Sequence, residues 1–216
     1  LCSLLAASPV WAAQQTTTTV TFDNNASKVD NPYSKIEVKT TDDSAVGIKS
    51  SDADSGNLQV YMSPDGVINV SAAPTAIGES FSAEGIKNDR SAASQTDTTL
   101  TVNGSTTLTV SATGSESTDG EDVDGHAYGM NLLKDSRTSL ETVNATVTAT
   151  GGKVTGVEDT SAQTNAYAYG MSASQANLTS GAASFTVTAQ GGEVSGSAAS
   201  AEANAVGVGA KGGTTV

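Results

Sequence analysis

Nine aromatic side chains in 216 residues, one of them Trp11 near the start, are too few to fill an ordinary globular interior. Cysteine occurs once, at Cys2, which excludes an internal disulfide framework and any Cys/His metal cluster. Histidine also occurs once, at His126, and leaves little material for acid–base or nucleophilic catalysis. Lys and Arg number 10 against 23 Asp and Glu, a formal net charge of −13. A surface of that sign attracts neither nucleic acid nor an anionic membrane, so neither is expected as a partner. No segment approaches the roughly 18 consecutive apolar residues of a membrane-spanning helix, and no helix-period stretch of useful length occurs.

What the chain has instead is repetition. A short motif returns five times, as Ala45-Val46-Gly47-Ile48, Ala83-Glu84-Gly85-Ile86, Ala127-Tyr128-Gly129-Met130, Ala168-Tyr169-Gly170-Met171 and Ala205-Val206-Gly207-Val208. The opening alanines are 38, 44, 41 and 37 residues apart. One structural unit of about 40 residues therefore recurs, the signature of a stacked-repeat fold. In the same frame Ile68/Val70/Ala72, Leu108/Val110/Ala112, Ala145/Val147/Ala149 and Phe185/Val187/Ala189 place apolar residues at alternate positions, with Thr, Ser or Asn between them. A period of two with one apolar face is a half-buried strand, and the Thr and Val content agrees.

Further strands are expected at 57–60 and 99–102. A matched pair follows the last two repeats, at Gly151-Gly152-Lys153-Val154 and Gly191-Gly192-Glu193-Val194. Each unit thus reads as three or four short strands separated by Gly, Ser and Asp turns. The Ala-x-Gly-Ile motif is not a plain strand, since strict alternation would put Glu84 on the face of Ile86. A bend or close backbone approach at the glycine lets Ala and Ile/Met both point inward and leaves the middle residue facing water.

These features predict an all-β parallel β-helix, or β-solenoid, in which Val70, Val110, Val147 and Val187 stack as an interior ladder. Strands of about five residues on three sides would use only roughly 20 to 25 residues per turn. The excess means either two turns per unit or a loop in each; protruding loops are favoured, among them the acidic run Asp119-Gly120-Glu121-Asp122-Val123-Asp124-Gly125.

Leu1 to Ala12 reads as the back half of a signal peptide, with Val10 and Ala12 flanking Trp11 at a small-x-small cleavage site. Residues 13–40 do not match the units and are assigned to an N-terminal cap or linker, and 41–216 to the solenoid repeats. The lack of an initiator Met and the new strand beginning after Gly209 lead to the expectation of a fragment of a longer protein.

Site chemistry is sparse. Asp119, Glu121, Asp122 and Asp124 are weak calcium candidates, because Asp122-x-Asp124-Gly125 offers closely spaced oxygens, but Gly120 and Asn131 stand where an EF-hand frame needs acids. The only serine-nucleophile context, Asp54-Ser55-Gly56, lacks the preceding glycine of a protease motif. Paired acids for sugar cleavage could come only from the same acidic run. No catalytic residue, resident cofactor or enzymatic activity is expected of this segment, and Tyr128 and Tyr169, at exposed middle positions, are the surface-contact candidates. An ice-binding solenoid would need regular Thr-x-Thr rows, which occur only in the last two units, at Thr146/Thr148 and Thr186/Thr188.

The signal-like end, the acidic Thr/Ser/Gly/Ala-rich chain, and the Ala-x-Gly-Ile and Ala-Tyr-Gly-Met units joined to Thr-Val-Thr-Ala strands resemble autotransporter passenger domains of Gram-negative bacteria over residues 40–216. The resemblance implies a right-handed parallel β-helix, secreted across the inner membrane and held at the cell surface by a C-terminal outer-membrane β-barrel translocator. It also implies adhesion to host or neighbouring-cell surface molecules, or a structural stalk. The alternative is a passenger protease or polysaccharide-cleaving enzyme whose active residues lie largely outside this segment.

The ladder has a direct test. Val147→Asp removes roughly 1.5 to 3 kcal/mol of Val burial and buries an unpaired charge, whereas Thr148→Asp alters a solvent-facing position and should stay within about 0.5 kcal/mol. Thermal melting of the two variants reads the assignment of faces; equal effects would refute it.

Overall fold

A computed structural model of the protein describes residues 32–50, 58–89, 99–118, 120–133, 136–155, 162–195, 199–212 and 214. The proposed signal segment, Asp54-Ser55-Gly56 and Asp119 lie outside the described residues. Among the described residues there are thirteen strands and no helix. They are β1 (Tyr33–Thr40), β2 (Ala45–Ser50), β3 (Leu58–Ala72), β4 (Ser82–Asn88), β5 (Leu100–Thr113), β6 (Glu116–Ser117), β7 (Gly125–Leu132), β8 (Arg137–Thr150), β9 (Lys153–Thr155), β10 (Ala166–Ser174), β11 (Asn177–Gln190), β12 (Glu193–Ser195) and β13 (Ala203–Lys211).

Three parallel sheets form a β-solenoid. The first runs β1-β3-β5-β8-β11, the second β2-β4-β7-β10-β13 and the third, smaller one β6-β9-β12. Three turns contribute to all three sheets, and the two strand pairs before them contribute to the large sheets only. Each unit of about 40 residues is one turn. The repeats stack because neither face of an isolated unit could cover its apolar residues.

The interior follows the sequence pattern position by position. Val38, Val70, Val110, Val147 and Val187 lie opposite one another on successive strands, as do Ile36, Ile68, Leu108, Ala145 and Phe185. In the facing sheet Ala45, Ala83, Ala127, Ala168 and Ala205 form one row, and Ile48, Ile86, Met130, Met171 and Val208 another, buried through β10 and exposed at Ala205 and Val208 in the last turn. Val147 is fully buried and Thr148 is not, as the alternation requires. In the last turn Phe185, Val187 and Ala189 are only partly covered.

Two details differ from the expected picture. The residues beyond a minimal turn go mainly into long strands rather than loops: β5, β8 and β11 have 14 residues each, about 46 Å at the usual rise. Segments expected as separate strands, such as 99–102 and 108–112, are halves of one strand, with the register slipping between Val102 and Ser105. The ladder also begins early in the chain, since Ile36 and Val38, within the segment assigned to a cap or linker, pair in register with Ile68 and Val70.

The glycine of the recurring motif works by close approach. None of the five has a positive φ. In β7, Gly129 and Met130 are buried consecutively, so the alternation changes phase there. Pairing correspondingly passes from Tyr128↔Tyr169 directly to Met130↔Met171. A Cβ placed on Gly129 would lie 2.5 Å from the Gly170 carbonyl oxygen and 3.0 Å from Cγ2 of Val147 in the opposite sheet. The glycine row thus presses against the next turn's backbone and the facing aliphatic ladder.

The outer face of the first sheet is polar. Thr109, Thr146 and Thr186 stack in register, as do Ser111, Thr148 and Thr188. The second sheet carries a different outer surface, so a Thr grid occupies one side only.

Gly129→Ala is therefore expected to destabilise the chain by about 1–3 kcal/mol through overpacking. Gly207, the same motif position in the last turn, has nothing within 4 Å of such a Cβ, and Gly207→Ala should stay within about 0.5 kcal/mol. Denaturant midpoints of the two variants check the difference, and a loss at both positions would assign it to backbone conformation instead.

Candidate functional site

Outward-facing residues of the second sheet repeat as three rows. One contains Ser82, His126, Tyr167 and Asn204; the next contains Val46, Glu84, Tyr128, Tyr169 and Val206; the third contains Lys49, Lys87, Asn131 and Ser172. Parallel strands in register lie about 4.8 Å apart, close to ring-stacking distance. Equal residue types on consecutive turns must therefore touch. Tyr128 and Tyr169 stack at 5.4 Å between centroids and 7° between planes, and His126 stacks on Tyr167 at 4.9 Å and 20°.

Both sequence-proposed contact residues, Tyr128 and Tyr169, thus sit together on this face, half-buried. They form one wall of a groove of about 390 Å³ that continues over Ser172, Ser174, Gly209 and Lys211. Burial pushes the Tyr128 phenol above its ordinary range, with Tyr169 and Glu84 adding to the effect. As members of this stacked face, Tyr167 and His126 escaped the sequence reading, which weighed His126 only as a catalytic base and did not single out Tyr167. The signal was present, because each lies one residue before a motif alanine and 41 residues from the other.

Glu84 departs from the expectation that the middle position faces water: it is 4% exposed. Its carboxylate is held from two sides, by Lys87 Nζ at 2.9 Å to Oε1 and by Asn131 Nδ2 at 2.9 Å to Oε2. The phase change at Gly85 brings residues 84 and 87 onto one face, and register brings Asn131 beside them. A buried carboxylate needs such partners, since an unpaired one would pay a large desolvation penalty.

The acidic run has a structural occupation. Asp124 Oδ1 accepts the Asn165 N–H at 2.7 Å, and Asp122 Oδ1 accepts the Gln163 N–H at 2.7 Å, both in the following turn. The pattern propagates: the Asp124 N–H donates to Ser80 Oγ at 2.8 Å, and the Glu202 N–H to Asn165 Oδ1 at 3.1 Å. Ser80, Asp124, Asn165 and Glu202 are equivalent corner positions, and each earlier side-chain oxygen receives the next turn's amide. Glu121 lies exposed, against Gly78. Among the described residues no three His, Cys, Asp or Glu side chains are grouped to hold a metal.

His126 lies 3.8 Å from Asp124 through Nε2, and burial holds its imidazole below the ordinary range, with the Asp124 charge partly opposing the shift. With its ring against Tyr167 and its edge toward Asp124, His126 lies on the same outer face as Tyr128 and Tyr169. A second concavity of about 440 Å³ runs along the corner between the first and third sheets, floored by Gly114, Gly151 and Gly191 and rimmed by Glu116, Lys153 and Glu193.

No protein-family profile matches this chain, and neither a curated protein nor a solved structure matches it.

Removing the corner acceptor with Asp124→Ala is expected to lower stability by about 1–3 kcal/mol, the usual loss when a backbone amide is left without its charged acceptor. Asp124→Asn, which keeps an acceptor oxygen, should lose less. Melting curves in chelator and in millimolar calcium separate the roles: a deficit unchanged by calcium supports the corner bond, while calcium-dependent melting of the parent chain that vanishes in Asp124→Ala would make Asp124 a calcium ligand.

Proposed function

We propose that this chain is a passenger-type β-solenoid of a bacterial cell surface, a rigid rod that makes adhesive contacts through the outer face of its second sheet. The observation that carries the reading is the placement of aromatics. In a chain with few of them, three tyrosines and the single histidine gather on β7 and β10, on the outer face of the second sheet. Tyrosine is well suited to such a role, because it offers a large rigid surface and a polar tip with little side-chain entropy to lose.

The signal-like residues 1–12 support export, and the acidic surface suits a rod that must stay soluble without self-association. On this reading the ligand is a molecule of a host or neighbouring-cell surface, and a C-terminal β-barrel translocator of the same protein is expected.

Attachment of beads coated with the purified chain to epithelial and bacterial cell layers tests this reading. Tyr128→Ser/Tyr167→Ser/Tyr169→Ser should keep the β-sheet circular dichroism and lose most of the attachment, several-fold or more. Wild-type beads that fail to attach, or a triple variant that attaches equally well, would overturn it.

A further inference from the structure

We propose that Lys87 and Asn131 become joined by an intramolecular isopeptide bond once the chain has folded, with Glu84 carrying the protons. The two residues stand opposite each other on β4 and β7, on the same outer face. In their row, Lys49, Lys87, Asn131 and Ser172, this is the one junction at which an amine faces a carboxamide. Both reach one carboxylate: Lys87 Nζ lies 2.9 Å from Glu84 Oε1, and Asn131 Nδ2 lies 2.9 Å from Oε2.

That arrangement places each reacting nitrogen on the group that must move its proton. Glu84 takes a proton from the Lys87 ammonium, and the freed amine attacks Cγ of Asn131. As the tetrahedral adduct collapses, the Glu84 carboxyl protonates Nδ2 and recovers a proton from the attacking nitrogen. The Cγ–Nδ2 bond breaks, the Nζ–Cγ amide remains and one ammonia leaves, with no oxidant or reductant required. Glu84 ends uncharged and able to donate to the new carbonyl, so two charges in a largely buried site are replaced by a neutral hydrogen-bonded amide.

An amine does not ordinarily attack a carboxamide at a useful rate. Here the β-ladder holds the two groups against a common proton carrier, the condition under which intramolecular reactions gain most from orientation. Glu84 is 4% exposed and Tyr128, its in-register neighbour, is half-buried, so little water reaches the carboxylate. The bond would tie together turns 44 residues apart in sequence.

Intact-mass measurement of the purified chain tests the proposal. The wild type should weigh one ammonia less than its sequence, and proteolysis should yield a branched peptide containing both Lys87 and Asn131. Lys87→Arg keeps a cation on Glu84 and should return the full mass, as should Glu84→Gln. Succinimide formation at Asn103-Gly104 also expels ammonia but would persist in Lys87→Arg. A wild-type chain of full mass after prolonged incubation, folded by circular dichroism, would overturn the proposal, as would a mass deficit that survives Lys87→Arg.

Discussion

The distance between the two large sheets governs everything else in this molecule. It is set by a row of glycines, Gly47, Gly85, Gly129 and Gly170, that press against the next turn's backbone and the facing side chains of Ile68, Val70, Leu108, Val147 and Phe185. A Cβ on Gly85 would lie 2.5 Å from Cδ1 of Leu108 in the facing sheet and 2.6 Å from the Gly129 carbonyl oxygen of the next turn, so it could be accommodated only by parting the two sheets or the stacked turns. The thin interior that results has room for Val, Ile, Leu, Met and Ala, which is why so few aromatics suffice. The same closeness makes the packing unforgiving, because a dense interior transmits added volume directly into the backbone.

In-register stacking then turns a one-dimensional repeat into rows of like residues. Inside, the rows are apolar and bury continuous ladders. At the corner before each strand of the second sheet, the rows carry side-chain oxygens that receive the next turn's N–H, with Ser80, Asp124 and Asn165 in equivalent places. Near that corner, Thr164 is fully buried and donates to the Gly152 carbonyl at 2.9 Å. Val123, Val154 and Ala162 form a small second core that anchors the third sheet. Polar residues that look like decoration in the sequence thus satisfy backbone groups that a tight corner would otherwise leave unpaired.

On the outside the same register creates chemistry that no single turn possesses. Rings on successive strands meet face to face, and Glu84 meets a lysine of its own strand and an asparagine of the next. The aromatic face and the Glu84 cluster are adjoining parts of one surface, linked through Tyr128. In the proposed adhesive role, rigidity there would be an advantage, since less order has to be gained on binding.

Much of the architecture was legible in the sequence. The spacing of Ala-x-Gly-Ile and of the alternating Val positions determined one strand class each, the parallel register and the interior ladder, because periods of 2 and of about 40 are geometric consequences of pleating and stacking. The placement of Tyr128 and Tyr169 on the outer face was legible for the same reason, although Glu84 at that motif position is buried. Strand length was not, since composition does not say whether a run such as 100–113 breaks into two strands or bends as one. That Asp122 and Asp124 accept the amides of the following turn was not legible either, because the partner residues are 41 positions away in sequence. Only the fold could bury Glu84 between Lys87 and Asn131, because their proximity arises from a phase change at Gly85 and from the alignment of strands one whole turn apart. Sequence determines what repeats; the register of the stacked turns decides which side chains meet.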